Sequence, residues 1–200
     1  KHFTEDKGYE VHSMVVNTGG FTDDELKRIE AHAYKLGVKT HTAVDAVKGY
    51  YDRIIKYLVY GNCLKNNTYP LSVSAERLSQ ALHIAEHAKH LKADAVAHGS
   101  TGAGNDQVRF DMIFHIMIPG VEIITPIRDL KLSREEEISY LKSKGVEMNL
   151  PAGQAGFDKA MYSINKGLWG TSVGGKETLS SKGMLPEEAW PTPVTKTGSE

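Results

Sequence analysis

The sequence predicts an α/β fold with a mainly parallel sheet and helices on both faces. Short strand-like runs alternate with longer helix-like segments, which is typical of parallel strands joined by crossover helices. A glycine-rich loop, residues 99–104, follows one of the predicted strands and leads into the next helix. Because open α/β sheets bind ligands beyond the carboxyl ends of their strands, this loop is the first place to expect a site.

The predicted strands are short and rich in small and β-branched residues, as buried strands are. They cover residues 11–17, 39–43, 93–98 and 121–127. Ahead of the first strand, residues 1–8 have the pattern of the last turns of a helix.

Several helices are predicted from their start signals. Thr22 with Glu25, and Ser133 with Glu136, form Ser/Thr-x-x-Glu capping boxes, which satisfy backbone N–H groups at a helix start. Asp45 is expected to cap a further helix. The helices that these three signals begin are expected to end near Gly37, Gly145 and Gly61, respectively.

The three middle helices are predicted from apolar residues three or four positions apart. The first of them follows Asp45, the second covers residues 74–91, and the third follows the glycine loop. Their predicted apolar positions are Val47, Tyr51, Ile54, Ile55 and Leu58; Leu78, Ala81, Leu82, Ala85 and Ala88; and Val108, Met112, Phe114, Ile116 and Met117.

The composition favours a protein that acts on small molecules. The 200 residues carry a formal net charge of −1 without a basic stripe or a charged block, so neither nucleic acid nor a membrane is an expected partner. Cys63 is the single cysteine, which excludes an internal disulfide and a four-cysteine zinc site. No apolar run approaches membrane-spanning length and no signal peptide opens the sequence, which favours the cytoplasm.

A change in composition predicts two domains. Residues 149–156 are rich in Pro and Gly, which is typical of a linker. We expect one domain over residues 1–148 and the beginning of a second over residues 158–200. Residues 184–200 contain three prolines and little periodicity, which predicts an extended or poorly ordered segment.

The glycine loop and the helix start after it carry groups that suit a zwitterionic ligand. The loop glycines are expected to adopt backbone angles closed to other residues and to let amide groups approach a phosphate. Asn105 or Asp106 is expected to cap the helix, whose positive end attracts anions, and Asn105 shares a helical face with Arg109. On spacing alone, a plain glycine-rich turn before a capped helix explains the stretch equally well. The loop glycines are Gly99, Gly102 and Gly104.

The segment Gly-Ser-Thr-Gly-Ala-Gly-Asn-Asp-Gln-Val-Arg-Phe closely resembles the signature loop of the argininosuccinate synthase family. Three further segments agree with the family in order: residues 16–20, residues 69–74 with Arg77, and residues 162–172. The resemblance runs from about Tyr9 to about Glu188, which is more specific than any one motif. It implies an adenine nucleotide alpha hydrolase-like fold for a nucleotide-binding first domain, followed by the start of an α/β synthetase domain.

The resemblance implies a ligase of arginine biosynthesis that joins citrulline to aspartate with ATP. In the family, the ureido oxygen of citrulline attacks the α-phosphate of ATP, and the amine of aspartate then displaces AMP from citrullyl-AMP. Both steps depend on positioning and charge screening more than on a dedicated acid or base. The implied ligands are ATP with Mg²⁺, citrulline and aspartate, in a cytoplasmic homotetramer.

The resemblance also assigns roles to individual residues, none of them a metal ligand. The assigned ATP contacts are Val16 and Gly99. The assigned aspartate contacts are Thr101, Asn105 and Asp106, of which Asp106 is also the candidate catalytic residue. The assigned citrulline contacts are Tyr69, Ser74, Arg77, Asn105, Arg109, Ser163 and Ser172. From the residues alone, plainer explanations stay open: Val16 as strand core, Ser74 and Asp106 as helix caps, and Arg77 and Arg109 as solvated surface charges.

The chain departs from the family pattern in two respects. Ala103 stands where many members have lysine, so any charge that this lysine lends to the phosphates must come from elsewhere. The Ser-Gly-Gly-x-Asp-Thr-Ser loop that grips the ATP pyrophosphate in the family does not occur in this sequence. We therefore expect the chain to be incomplete relative to the natural polypeptide, with strands beside a missing central strand left unpaired. A glutamate and a tyrosine of the family's citrulline site would lie beyond Glu200.

Three alternatives remain open from the sequence. The chain could be an inactive nucleotide-domain fragment of such a ligase, or another ATP pyrophosphatase that adenylates a different amide or carboxylate. The segment His83-Ile-Ala-Glu86-His87 matches the His-x-x-Glu-His pattern of some zinc hydrolases, in which two imidazoles share a helical face. Such short patterns arise easily by chance in a chain with nine histidines, and a solvated helix face is the plainer explanation.

Overall fold

The computed structural model describes residues 1–102, 104–146 and 162–192 of the chain. The chain divides into two units: residues 1–147 with 167–169 form the first, and residues 148–166 with 170–200 form the second. None of the helices within the described ranges is both long enough and apolar enough to cross a membrane.

The first unit contains four strands and seven α-helices within the described residues. The strands are β1 (His12–Asn17), β2 (Thr40–Asp45), β3 (Ala95–Ala97) and β4 (Glu122–Ile124). The helices are α1 (Asp23–Lys35), α2 (Val47–Tyr50), α3 (Lys56–Tyr60), α4 (Ser72–Leu91), α5 (Asp106–Met117), α6 (Pro126–Leu130) and α7 (Arg134–Ser143). Two π-helical turns add to these, His2–Asp6 before β1 and Tyr51–Ile55 between α2 and α3.

The strands pair in parallel, which confirms the predicted α/β class. Strand β1 pairs with β2 from His12 opposite Thr40 to Asn17 opposite Asp45. Strand β3 pairs with β4 over three residues, beginning with Ala95 opposite Glu122. Within the described residues these are two separate two-stranded ladders rather than one continuous sheet. In both pairs the carboxyl ends of the two strands lie side by side, as parallel pairing requires.

Both predicted capping boxes are confirmed. The backbone N–H of Glu25 donates to Thr22 Oγ1 at 3.3 Å, and the Glu25 carboxylate accepts from the Thr22 N–H at 2.8 Å. Ser133 and Glu136 make the same pair of contacts at the start of α7. Side-chain caps of this kind are local, because both partners lie within four residues, so sequence alone locates them well.

Three predicted helix starts need correction. Helix α4 begins at Ser72 instead of residue 74, so Ser74 lies inside the first turn and is not a cap. The cap position before α2 is Ala46, although Asp45 Oδ1 still accepts from the Val47 N–H at 3.0 Å. Helix α5 starts at Asp106 with Asn105 at the cap position, but no side chain makes a cap hydrogen bond, and the Asp106 carboxylate binds Arg77 and Arg109.

The fourth predicted strand is shorter than expected. The alternating pattern of residues 121–127 produces only the three-residue β4, and Pro126 follows as the first residue of α6. Proline is favoured at this helix position because its fixed φ suits the first turn and its missing N–H is not needed there.

The main core lies between α4, α5 and the β3–β4 pair. Helices α4 and α5 pack against each other through small alanines on α4 and larger apolar residues on α5. The buried members are Ala81, Ala85, Ala88, Val96, Phe114 and Ile118. A second cluster joins α2 and α3 to the start of α4, where Tyr50, Ile55 and Ala75 are buried and Trp169 packs against them.

The predicted apolar positions are right for α4 and partly wrong elsewhere. On α5, Val108, Met112 and Ile116 are 59%, 46% and 68% exposed, whereas Phe114 is 1% exposed. The packed face of α5 instead follows the spacing of Phe110, Ile113, Phe114 and Met117, that is i, i+3, i+4 and i+7. In the segment after Asp45, the sequence predicted Tyr51 on the buried face, but Tyr50 is buried and Tyr51 is exposed. The buried face is therefore shifted by one residue there.

Residues 163–174 form a hairpin, and two short 3₁₀ turns follow it within the described residues. Strands β5 (Ser163–Gly167) and β6 (Gly170–Gly174) pair and are joined by two residues. The 3₁₀ turns are Lys176–Leu179 and Glu187–Ala189. The second turn interrupts the segment predicted as extended. The predicted linker at residues 149–156 lies outside the described residues, so the domain boundary stays a prediction.

Candidate ligand-binding site

A cavity of about 440 Å³ opens in the first unit where β3 ends. Helix α4, the loop after β3 and the start of α5 surround it, so the glycine loop lies where the sequence predicted, beyond the carboxyl end of a strand. Residues that line it include Arg77, His98, Gly99, Thr101, Asp106 and Phe110.

Two arginines converge on Asp106 at this cavity. Arg77 Nε donates to Asp106 Oδ2 at 3.1 Å, and Arg109 Nη1 donates to Asp106 Oδ1 at 2.6 Å. Arg77 also donates to Gln80 Oε1 at 3.0 Å and lies 3.7 Å from Glu76 Oε2. The side chains of Arg77, Asp106 and Arg109 are 20%, 35% and 24% exposed, so the cluster is partly shielded from water yet open to a ligand.

The charges of this cluster suit a zwitterion. Two guanidinium groups face the carboxylates of Asp106 and Glu76, so the four charges balance. Arg109 gives only part of its five N–H donors to Asp106, so it can bind a ligand carboxylate as well. The Asp106 oxygens can accept from a ligand ammonium group. The arrangement therefore offers partners for both ends of an amino acid.

The loop glycines do not have the backbone conformation that the sequence predicted. None of Gly99, Gly102 and Gly104 has a positive φ. A Cβ built on Gly102 would make ordinary contact with Arg128 Cγ at 3.6 Å, and Gly99 and Gly104 have still more room. Glycine is therefore not required here by backbone strain. Its effect is to leave the loop backbone uncovered, so that its amide groups can reach a ligand.

A hydrogen-bond network that the sequence did not predict lies behind the loop. The ring Nε2 of His98 is 2.8 Å from Asp111 Oδ1, and Arg128 Nη1 donates to Asp111 Oδ2 at 2.7 Å. Arg128 also donates to Gln107 Oε1 at 3.0 Å, and Gln107 Nε2 donates to the Gly102 carbonyl at 2.7 Å. His98 and Arg128 are 13 and 17 residues from Asp111, and no spacing rule pairs residues that far apart in the sequence. The one hint in the sequence was an acidic residue, Asp111, in the predicted helix after the loop.

The charge of Asp111 is stabilised in this network. Burial raises the pKa of its carboxyl, but hydrogen bonds from Arg128 and His98 outweigh burial and leave the pKa below its ordinary value. Asp111 is therefore an anion at neutral pH, and it can only accept hydrogen bonds from the two residues beside it.

A second polar cluster lies where β1 ends. The buried Thr18 hydroxyl donates to Glu76 Oε1, and Glu76 is 6% exposed. The Leu168 N–H donates to the Thr18 carbonyl at 2.8 Å. Gly19 has φ +97° and a built Cβ would lie 3.0 Å from Leu168, so this glycine is required by both backbone angle and space. Nearby Tyr50 donates to the Ser72 carbonyl at 3.2 Å, and burial together with the Glu76 charge raises its pKa.

A profile of the family described as the arginosuccinate synthase N-terminal HUP domain matches residues 1–147. The chain belongs to the argininosuccinate synthase family. Among curated proteins, the argininosuccinate synthase of Methanocaldococcus jannaschii is 42% identical over 193 residues, which cover 93% of this chain and 46% of that protein. That of Saccharolobus solfataricus is 39% identical, covering 90% of this chain and 44% of that protein. The chain thus spans about half the length of the curated relatives it matches.

The cavity brings together several residues that the argininosuccinate synthase resemblance assigned. The cavity is lined by Gly99, Thr101, Asp106 and Arg77. Arg109 binds Asp106 beside the cavity. Asn105 is exposed at the cap position of α5, where its carbonyl accepts from the Arg109 N–H at 3.3 Å. The residues assigned to aspartate and part of those assigned to citrulline therefore share one end of α5.

The remaining residues assigned from the argininosuccinate synthase resemblance lie elsewhere. Val16 is 5% exposed within β1, so its side chain belongs to the strand core. Tyr69 is 36% exposed ahead of α4, with its hydroxyl 3.3 Å from Ser72 Oγ, and Ser74 is half-buried in the first turn of α4. Ser163 on β5 is exposed and Ser172 on β6 is half-buried, both in the second unit.

The zinc hypothesis has no geometric support in the described part of the chain. Across residues 1–102, 104–146 and 162–192, no three His, Cys, Asp or Glu side chains are grouped so that they could hold a metal ion. The ring Nδ1 of His83 is 2.8 Å from the Ser79 carbonyl, four residues earlier on the same helix, which is the bond of a structural helical histidine.

Proposed function

We propose that this chain forms the nucleotide-binding part of an argininosuccinate synthase, which joins citrulline and aspartate with ATP in arginine biosynthesis. The observation that carries the proposal is Asp106 held between Arg77 and Arg109 at the glycine loop, because this cluster offers partners for both ends of an amino acid. Membership of the family supports the same conclusion.

The proposed reaction has two steps. The ureido oxygen of citrulline attacks the α-phosphate of ATP, which releases pyrophosphate and forms citrullyl-AMP. The amine of aspartate then attacks the ureido carbon, a C–N bond forms, and the C–O bond to AMP breaks. Bringing a zwitterion and a second anionic reactant to a polyphosphate is mainly a matter of orientation and charge, for which the arginine cluster is suited.

Each assigned residue has a part in this proposal. Thr101, Asn105 and Asp106 bind aspartate, with Asp106 accepting from its ammonium group and so orienting the attacking nitrogen. Arg77 and Arg109 bind the carboxylate of citrulline. The further proposed citrulline contacts are Asn105, Tyr69, Ser74, Ser163 and Ser172, and the proposed ATP contacts are Val16 and Gly99. Ala103 lies outside the described residues.

The Mg²⁺ of the proposal accompanies the nucleotide. Mg²⁺ is commonly held by substrate phosphates together with one or two carboxylates instead of a complete protein cage. The protein is also proposed to be a homotetramer and to be located in the cytoplasm.

The test is ligand binding by the 200-residue chain, measured by isothermal titration with ATP, citrulline and aspartate. We expect Asp106→Ala to weaken aspartate binding by roughly tenfold or more, since a charge-assisted hydrogen bond contributes about 1.5–3 kcal/mol. Asp24→Ala is the matched control, because Asp24 is also in the first turn of a helix but is 86% exposed.

Product analysis completes the test. The polypeptide that contains this chain is incubated with ATP, citrulline and aspartate, and argininosuccinate and AMP are measured by mass spectrometry. Little or no ATP binding in the titration favours the inactive-fragment alternative, and product formation unchanged by Asp106→Ala contradicts the role of that residue. Adenylation of a different amide or carboxylate would favour another ATP pyrophosphatase.

A further inference from the structure

We propose that His98 is a positioning residue that holds the glycine loop in its ligand-binding conformation by a single tautomer of its ring. The inference rests on the proposed function of the loop and extends it to a residue that contacts the loop backbone from behind. Four side chains, His98, Gln107, Asp111 and Arg128, make up what we call the loop brace.

The ring of His98 is fixed in place by its surroundings. Its side chain is 7% exposed, and it stacks on Phe110 with ring centres 5.3 Å apart and planes 24° apart. The ring of Phe114 is also near, tilted by 47°, with its centre 6.2 Å from that of His98. The backbone N–H of His98 donates to the Ile124 carbonyl at 3.2 Å, which ties the residue to β4. The two ring nitrogens therefore point in fixed directions.

The partners of the two nitrogens select one protonation state. The backbone N–H of Ser100 lies 3.3 Å from Nδ1 and can only donate, so Nδ1 accepts and carries no proton. Asp111 Oδ1 lies 2.8 Å from Nε2 and can only accept, so Nε2 carries the proton. Only the neutral ring with its proton on Nε2 makes both bonds, since a charged ring would present a donor to the Ser100 N–H.

The brace contacts the loop at two backbone groups. One is the N–H of Ser100, bound by His98, and the other is the carbonyl of Gly102, bound by Gln107. Both contacts lead to Arg128, which donates to Asp111 and to Gln107. The brace thus joins the end of β3, helix α5 and helix α6 around the loop.

The loop depends on such contacts for its order. It has three glycines, and glycine loses more conformational freedom than any other residue when a segment becomes ordered. None of the three has a positive φ. The Ser100 N–H is bound by His98, so this backbone group holds the loop in place. Loss of a brace contact should therefore weaken ligand binding, because the loop backbone must then be ordered when the ligand binds.

Two substitutions separate the two halves of the His98 contact. In His98→Asn, the amide can keep an acceptor near the Nδ1 position for Ser100 but does not reach Asp111. In His98→Gln, the longer side chain can keep a donor near the Nε2 position for Asp111 and loses the acceptor for Ser100. The control is His90→Gln, at an exposed position near the end of α4.

Three measurements on the 200-residue chain test the proposal. Nitrogen-15 NMR of the His98 ring is expected to show the tautomer with a proton on Nε2 and none on Nδ1. Hydrogen exchange of the Ser100 amide is expected to be faster in His98→Gln and unchanged in His98→Asn and in His90→Gln. Titration with ATP and with aspartate is expected to show roughly tenfold weaker binding in His98→Gln, which is the loss of about one hydrogen bond.

The outcomes separate this proposal from the proposed function. A proton on Nδ1, or Ser100 exchange that His98→Gln leaves unchanged, overturns the brace whatever the chain binds. Binding that is unaffected in His98→Gln while Ser100 exchange rises overturns the positioning role and leaves a structural one. Absence of ATP and aspartate binding in the unsubstituted chain contradicts the proposed function, while the ring and exchange measurements still decide the brace.

Discussion

At the scale of single residues, the site depends on side chains that each bind more than one partner. Asp106 accepts from two arginines, Arg77 donates to Asp106 and to Gln80, and Asp111 accepts from His98 and Arg128. Each such residue holds several neighbours in place, so its loss leaves more than one polar group without a partner. The network therefore favours one arrangement of the loop and the start of α5.

Asp111 predicts a pH-dependent contribution to stability. The pKa of its carboxyl is below its ordinary value in the folded chain, so the carboxylate stabilises the fold above pH of about 4 and this contribution is lost as the pH falls through the folded-state pKa. We expect Asp111→Asn to lower the free energy of unfolding by roughly 1–3 kcal/mol at pH 7. The difference in unfolding free energy between Asp111→Asn and the unsubstituted chain should become smaller as the pH falls below about 4.

Urea unfolding at a series of pH values measures this effect. Asp24→Asn is the control, because the Asp24 side chain is 86% exposed and its ion pair with Lys27 is 3.7 Å long. A gap between Asp111→Asn and the unsubstituted chain that stays constant from pH 7 to pH 3 would show that the charge of Asp111 is not what stabilises the fold.

At the scale of elements, the packing of α5 against α4 positions the site. The buried face of α5 holds Phe114 against the alanines of α4, and this sets the direction in which Asp106 and Arg109 leave the first turn. The opposite face carries Val108, Met112 and Ile116, which are exposed. The two faces of one helix thus differ sharply in what they contribute to stability.

This difference predicts opposite results for two substitutions on α5. Phe114→Ala should lower the free energy of unfolding by about 3–5 kcal/mol, because it removes a fully buried ring and leaves a cavity. Ile116→Ala should change it by no more than about 0.5 kcal/mol, since Ile116 is 68% exposed and alanine favours the helix. Urea unfolding of both variants checks this. Equal losses of unfolding free energy in the two variants would mean that α5 packs against α4 through a different face.

At the scale of the whole first unit, neighbouring residues of α4 connect the loops after two strands. Glu76 accepts from Thr18, just beyond β1, and Arg77 donates to Asp106, beyond β3. Glu76 also contacts Gly167, on which a Cβ would lie 2.6 Å from Glu76 Oε1. Contacts between residues this distant in sequence exist only when the unit is folded.

The Glu76 contact predicts coupling between two distant positions. Gly167→Ala should cost about 1–3 kcal/mol of unfolding free energy, because the buried Glu76 is held by Thr18 and cannot move away without loss. In a Glu76→Ala background, the same substitution should cost little, since the obstructing oxygens are gone. The double-mutant cycle is measured by urea unfolding.

Gly174→Ala is the matched control for this cycle. A Cβ on Gly174 meets nothing within 4 Å and its φ is not positive, so we expect a change within about 0.5 kcal/mol. Additive losses for Glu76→Ala and Gly167→Ala would contradict the contact.

Features that depend on residues close together in the chain can be predicted from the sequence alone. Both capping boxes, the parallel α/β class and the place of the glycine loop after a strand follow from patterns within a few residues, and the family follows from the order of its motifs. Helical phase was less certain, as Tyr50 and Tyr51 show, because two adjacent apolar residues fit the same period.

Which polar groups bind each other depends instead on the three-dimensional fold. It brings together residues that are far apart in the sequence. The bond from Thr18 to Glu76 joins residues 58 apart, and the bond from Arg77 to Asp106 joins residues 29 apart. The fold also decides that the loop glycines need no positive φ and that His98 binds Asp111. The physical reason is that hydrogen bonds and steric contacts act over a few ångströms in space, whereas sequence patterns report only neighbours along the chain.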